Sequence, residues 1–320
     1  MRDENVFEPG PEPAARHPVL VRVEPDSDPA RPMPLAWEQY SAQVLREWRA
    51  LLDRKPEERE VQAFLELHPA MIPGGCGDIG PGGHHGSAMG AVFREPQLAG
   101  AGRSFKPDFM WVTRSTSMFT PILIEIEKPS KPWFTKDGRP SASFTQARDQ
   151  LNDWRSWFDQ DGNKALFRDR FLFLPDPFNN RPLRPQFLLI YGRRSEFEVG
   201  GGHENPDELR FKRDLQRAQD EFYMTFDSLS PCYRCQDSMT LTMTTAGPRV
   251  HAFSPVYRTG TLIGEGALVL GDPAAALECS AMMADERRAY LAGRWTHWQD
   301  HQRRRAAMRD YTGSYATGRE

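Results

Sequence analysis

Apolar positions along the chain fall into stretches of two different periods. Over residues 35–52, Trp37, Tyr40, Val44, Trp48 and Leu51 recur every three or four residues, the spacing that lines one face of an α-helix. A second helix is expected over "DRKPEEREVQAFLELHP", with Asp53 as N-cap, Pro56 near the first turn, Val61, Phe64, Leu65 and His68 as its buried stripe, and Pro69 as its stop. Between residues 90 and 127 the pattern changes to short apolar runs. "AVFREPQL", "SFKPDFMWVT" and "FTPILIEIE" read as strands, the last two joined as a hairpin by the polar "RSTSM". "ASFTQARDQLNDWRSWF" returns to helical spacing through Phe144, Ala147, Leu151, Trp154 and Phe158, and a further strand is expected at 185–194.

Helix, strands, helix, strand in this order predicts an α/β fold with a mixed central sheet flanked by helices. Farther on, a helix is expected over 207–222, short strands in "MTFDSL" and "SMTLTMTT", and one or two long helices from Ala274, broken near Gly293. Residues 1–34 are rich in Pro, Asp, Glu and Arg and read as a flexible arm. The resulting division is an arm over 1–34, a central domain with leading helices over 35–230, and a strand and helix extension over 231–320.

The run "PILIEIEKPS" raises a chemical question. Alternation along a strand puts Ile122, Ile124 and Ile126 on one face and Leu123, Glu125 and Glu127 on the other. Two carboxylates side by side in a partly buried place repel each other and lose hydration, so a positive charge is expected between them. In "FKPDFMWV" the same alternation gives one face to Lys106, Asp108, Met110 and Val112. If the two strands pair, Asp108 faces Glu125 and Glu127. Three carboxylates on one sheet face make a hard oxygen site suited to Mg²⁺ or Mn²⁺, with Lys106 on the same side to offset negative charge. The competing reading is a structural ion pair with Lys106 or Lys128.

Composition narrows the remaining choices. The chain has 320 residues and a net charge of −3, so any anionic partner must be met by a local basic patch. No apolar run of membrane-spanning length occurs, and the N-terminal stretch does not resemble a signal peptide, so a cytoplasmic protein with no membrane partner is expected. Cys232 and Cys235 form a single CxxC without a second ligand pair at standard spacing, although Cys76 precedes His84 and His85 in a glycine-rich loop. Free thiols are the expectation there. That loop, 74–87, lacks the GK[ST] of a phosphate-binding loop and is expected to be mobile and able to close on a substrate. Arg287, Arg288, Arg303, Arg304, Arg305 and Arg309 in the last helices read as a solvated face rather than a phosphate contact.

"KPDF", a hairpin and then "IEIEKP" resemble the signature of the PD-(D/E)XK nuclease superfamily. The wider succession "EREVQAFLELHPAMI", "KPDF", "LIEIEKPSKPWFTKDGRPS", "TQARDQLNDWRSWF", "LLIYGRRSEF" and "MTFDSL" resembles the Shedu family of bacterial anti-phage nucleases over roughly residues 50–230. The resemblance implies a restriction-endonuclease-like core, Mg²⁺-dependent (or Mn²⁺-dependent) hydrolysis of double-stranded phage DNA, and a homo-oligomer of even number. It makes Asp108 and Glu125 the metal carboxylates. The superfamily pattern places a lysine two residues after the second carboxylate. Here Glu127 holds that position, and Lys128 reaches the site only if a bulge shifts the alternation. Gln150 on the following helix is the implied contact to water or phosphate. Glu57 or Glu58, one turn ahead of the buried stripe of the second helix, is the implied helix-borne acid, with Glu58 counted among the metal ligands. First-turn acids complementing the helix dipole are the alternative. His68 is expected in the core or at the helix end.

Overall fold

Phe119–Ile126 is buried at every position, because helices cover both faces of the sheet it belongs to. The computed structural model describes residues 31–80, 85–100, 102–174, 180–259 and 266–307. Residues 1–30 of the expected arm, His84 and Arg309 lie outside these. Seven strands form one mixed sheet: β1 (Ser87–Arg94), β2 (Phe109–Arg114), β3 (Phe119–Ile126), β4 (Gln186–Ile190), β5 (Glu221–Met224), β6 (Met239–Thr244) and β7 (Gly247–Phe253). Their order is β5-β4-β3-β2-β1-β6-β7. The β1-β2-β3 meander and the β6-β7 hairpin are antiparallel, while β3-β4, β4-β5 and β1-β6 are parallel.

Alternation assigns the two faces as expected. Phe109, Trp111, Ile122, Ile124 and Ile126 pack with α1 (Trp37–Asp53) and α2 (Glu58–Leu67) through Tyr40, Val44, Trp48, Val61 and Leu65. Met110, Val112 and Leu123 point the other way. They meet α3 (Ala142–Asp159) and α4 (Asp161–Phe171) through Phe144, Leu151, Trp154 and Phe167. Beyond α5 (Pro206–Leu215), the chain adds β6 and β7 to the same sheet and covers them with α6 (Ala267–Leu270), α7 (Ala274–Glu278) and α8 (Asp285–Ala307). Trp295 of α8 stands edge-on to Phe253.

The segment leaving β3 is held firmly. Trp133 lies edge-on against Phe144 and Tyr191, and Glu196 accepts the backbone N–H groups of Trp133 and Phe134 at 2.8 and 2.9 Å. Gly192 adopts φ +59°, and a Cβ there would meet Trp133 Nε1 at 2.7 Å, so the close passage of β4's exit over the indole requires glycine.

Several expectations are corrected. The N-cap of α2 is Glu57, whose side chain accepts the Glu60 backbone N–H while the Glu60 carboxylate accepts the Glu57 backbone N–H; Asp53 instead ends α1. β1 begins at Ser87 and carries positive φ at Met89 and Gly90 where its register breaks, irregularities that alternation cannot reveal. β2 begins only at Phe109. The expected helix 207–222 stops at Leu215, and Glu221–Met224 is a strand, because only Leu209 of α5 is buried and nothing continues its apolar stripe. Phe226–Ser228 is a 3-10 turn rather than strand. The C-terminal helices break at 279–284, and α8 runs through Gly293, where an added Cβ would meet nothing. α4 and β7 were not foreseen. Residues 74–80 of the glycine-rich loop pack on the sheet, with Gly74 against Ile122 and Gly75 against Trp111. Arg287 is buried and donates to the Pro32 and Tyr257 carbonyls, so it belongs to the interior and not to a solvated face.

Candidate metal and catalytic site

The antiparallel register of β2 and β3 pairs Phe109 with Ile124, and one step farther it sets Asp108 opposite Glu125. Directly opposed residues share a face of the sheet. The Asp108 carboxylate also accepts the Ile126 backbone N–H at 2.8 Å. Glu125 is buried within β3, and its Oε2 has no hydrogen-bond partner. Glu127 follows one residue after β3 ends and donates its N–H to the Ile190 carbonyl at 3.2 Å, which extends the strand's pairing to the site. Glu58, the first residue of α2, reaches the same place from the opposite helical layer, where it interacts with Glu127. The Gln150 amide of α3 interacts with Glu125.

Proton affinities register the crowding. Asp108 keeps some exposed surface yet is densely surrounded, and burial pushes its carboxyl up to about 7, with Glu58, Glu127 and Glu95 adding to the rise and the Ile126 N–H opposing it. Burial first, then Asp108, Glu127 and Glu58, raise Glu125 well above the carboxylate range, and Gln150 partly offsets this. Glu58 is raised by burial and then by Glu127. The cation within the group is Lys131. It donates to Glu127, and this contact helps hold its ammonium above the usual lysine range against the opposing effect of its own burial.

Asp108, Glu125, Glu127, Glu58 and Gln150 are therefore brought together. Lys128 is not among them: it pairs at the surface with Glu57. Lys106 pairs with Glu95 at 2.7 Å. Neither lysine forms the structural ion pair weighed against the metal reading. His68 sits in the core against Tyr40 and Phe64, with burial pushing its imidazole down to about 4. Lys131 escaped sequence reasoning because the superfamily pattern counts residues along a strand. The signal was the second lysine of "KPSKP": a turn in which Lys131 N–H bonds the Lys128 carbonyl brings it back onto Glu127.

The donor set is all carboxylate oxygen, and it includes one buried oxygen without a partner. Both features fit a hard divalent cation such as Mg²⁺ or Mn²⁺. Among the described residues no three of these carboxylates bring oxygens within 4.8 Å of one another, so an ion shared by three of them would draw them closer.

A family model described as Shedu protein SduA, C-terminal, matches residues 55–230, a span that holds every residue of this cluster. No curated protein and no solved structure matches the chain. Among the described residues no helix is long and apolar enough to cross a membrane. Since the matched span is just over half of the 320 residues and carries the whole carboxylate cluster, the chain belongs to the Shedu family.

Proposed function

We propose that the protein is a metal-dependent endonuclease of the PD-(D/E)XK type, nicking or cutting double-stranded phage DNA in bacterial defence. The observation that carries this reading is the buried, unpartnered Glu125 oxygen opposite Asp108, with Glu127, Glu58 and Lys131 around it. Asp108 and Glu125 would hold the ion, with Glu127 and Glu58 beside them. When bound, Mg²⁺ or Mn²⁺ supplies a polarised phosphodiester and a water acidic enough to ionise near neutral pH.

The protein's own groups have distinct tasks. The Ile126 N–H fixes one Asp108 oxygen and so orients the carboxylate. Lys131 places positive charge beside Glu127, where a phosphate oxygen gains charge in the transition state. Gln150, in contact with Glu125, would orient a water there. A cleft of about 820 Å³, lined by Lys131 together with Lys55 and Lys136, offers cations to the DNA backbone. The membership also supports an even-numbered homo-oligomer. The exposed Phe211 and Leu215, one turn apart on α5, provide an apolar strip for such contacts.

The test is cleavage of supercoiled plasmid DNA in Mg²⁺ or Mn²⁺, with EDTA and Asp108→Ala as controls. Wild type should cut and both controls should not, while Asp108→Ala retains salt-sensitive DNA binding. Equal cleavage by Asp108→Ala and wild type would assign the activity to a contaminant. DNA binding without any cleavage would instead make the chain a nucleic-acid-binding module with a nuclease fold.

A further inference from the structure

Outside the carboxylate site, three cysteines distant in sequence meet at one point. Cys76 comes from the loop after the 3-10 turn Pro69–Met71, and Cys232 and Cys235 from the turn that leads into β6. Their sulfurs lie within 4.8 Å of one another, with Cys232 Sγ 2.9 Å from Cys76 Sγ. The Cys232 backbone N–H is tied to the Ala70 carbonyl at 2.8 Å, which brings the two segments together independently of the thiols.

The local backbone holds the three sulfurs together. The turn Tyr233–Cys235 then folds Cys235 back towards the same point, with its N–H bonded to the Cys232 carbonyl at 2.9 Å. Gly75 allows the close approach: a Cβ there would meet Cys235 Sγ at 2.9 Å and the Trp111 ring at 2.8 Å. An oxygen donor is also at hand. Asp78 Oδ1 lies 3.4 Å from Cys76 Sγ and is held in place by the Gly74 N–H at 3.0 Å.

Three soft sulfur donors and one carboxylate are a poor site for Mg²⁺ and a good one for Zn²⁺. We propose that Cys76, Cys232 and Cys235 bind one Zn²⁺ ion, with the Asp78 carboxylate, beside Cys76 but outside the cluster of the three sulfurs, turning in as fourth ligand. Tetrahedral zinc with Zn–S near 2.3 Å needs sulfurs about 3.8 Å apart, so the ion replaces the Cys76–Cys232 thiol contact by spreading that pair slightly. Each thiol gives up its proton to solvent on binding. The site clips the 74–80 loop, inside the family match, to the first residues beyond it, where the chain begins its β6-β7 addition to the sheet. It gives the lone CxxC its missing partner from a distant loop, which ligand spacing along the sequence cannot show.

The experiment is metal analysis by inductively coupled plasma mass spectrometry on full-length, tag-free protein, purified in reducing buffer and reconstituted with Zn²⁺. About one equivalent per chain is expected in wild type. Cys232→Ser and Cys235→Ser should lower it roughly tenfold or more, and Cys279→Ser, which changes the exposed fourth cysteine, should leave it unchanged. Co²⁺ in place of Zn²⁺ should show thiolate-to-cobalt charge-transfer absorption in wild type. If the serine variants do not fold, wild type alone decides, since titrating its thiols with a mercurial must release the zinc. Wild type that binds no zinc, or zinc retained in both serine variants, overturns the proposal. So does a Cys76–Cys232 disulfide found by intact-mass measurement of anaerobically purified protein.

Discussion

Lys131 donates to the Glu127 carboxylate, although Lys128 is adjacent to Glu127 in sequence and pairs with Glu57 instead. The turn at Pro129 and Ser130 therefore exchanges one lysine for another. If the proposed chemistry holds, Lys131→Ala should lower plasmid cleavage roughly 100-fold, the cost of removing one positioned donor. Lys128→Ala, which breaks only an exposed pair, should change it little. Cleavage assays on the two variants side by side decide the matter, and a dead Lys128→Ala with an active Lys131→Ala would reverse the assignment.

The metal-free protein should lose stability as pH rises through the acidic range. Asp108 has its carboxyl shifted from 3.8 up to about 7 in the folded state. Between these values the folded chain holds a proton that the unfolded chain has released, so each step up in pH favours unfolding until Asp108 ionises. Asp108→Asn removes the ionisation and can keep an acceptor for the Ile126 N–H. In EDTA, the fall in Tm from pH 5 to pH 8 should be smaller in Asp108→Asn than in wild type. Relief of about 1 kcal/mol corresponds to roughly 2–4 °C for a domain of 150–250 residues. Parallel pH profiles for the two proteins would show that Asp108 is not strained by charge.

Much of this site was legible because a strand's period is short and strict. Once "KPDF" and "IEIEK" are read as paired strands, alternation puts Glu125 and Glu127 on one face, and burying Phe109 and Trp111 with Ile122, Ile124 and Ile126 on the other selects the register that brings Asp108 beside them. Lys131 and the thiol triad were not legible, since both depend on turns and on contacts between distant segments. The fold shows the same division. The strong stripes of α1 and α3 announced themselves, whereas α4, with only Asn163, Phe167 and Phe171 buried, and β7, which contains Pro248, carry weak local patterns fixed by tertiary packing.

Binding of a divalent cation should be visible without any substrate. Mn²⁺ that binds the folded chain alone raises its stability by about 2.7 kcal/mol at a hundredfold excess over Kd. Thermal melts at pH 8 should therefore shift upward with Mn²⁺ in wild type and much less in Glu125→Gln, which loses a ligand charge while keeping its shape. A shift of the same size in both proteins would place the Mn²⁺ elsewhere.

The far edge of the sheet makes a separate stability prediction. Arg155 of α3 donates to Glu221 at 2.6 Å and to Asp220 at 2.8 and 3.0 Å, and its guanidinium lies 5.0 Å over the Phe187 ring. Glu221 opens β5 and is almost fully buried; it also accepts the Tyr223 hydroxyl at 2.7 Å and the Ala218 N–H at 3.1 Å. Removing the arginine leaves a carboxylate in the interior without its counter-charge, a defect that costs about 3–5 kcal/mol. Arg155→Ala should therefore lower Tm by roughly 6 °C or more for a domain of this size. The double variant with Glu221→Gln should recover part of the loss, because a neutral amide keeps hydrogen-bonding capacity without the buried charge. Chemical denaturation of the wild type, both single variants and the double variant completes the cycle. Additive losses would mean that Arg155 and Glu221 act independently, and that α3 holds β5 by packing alone.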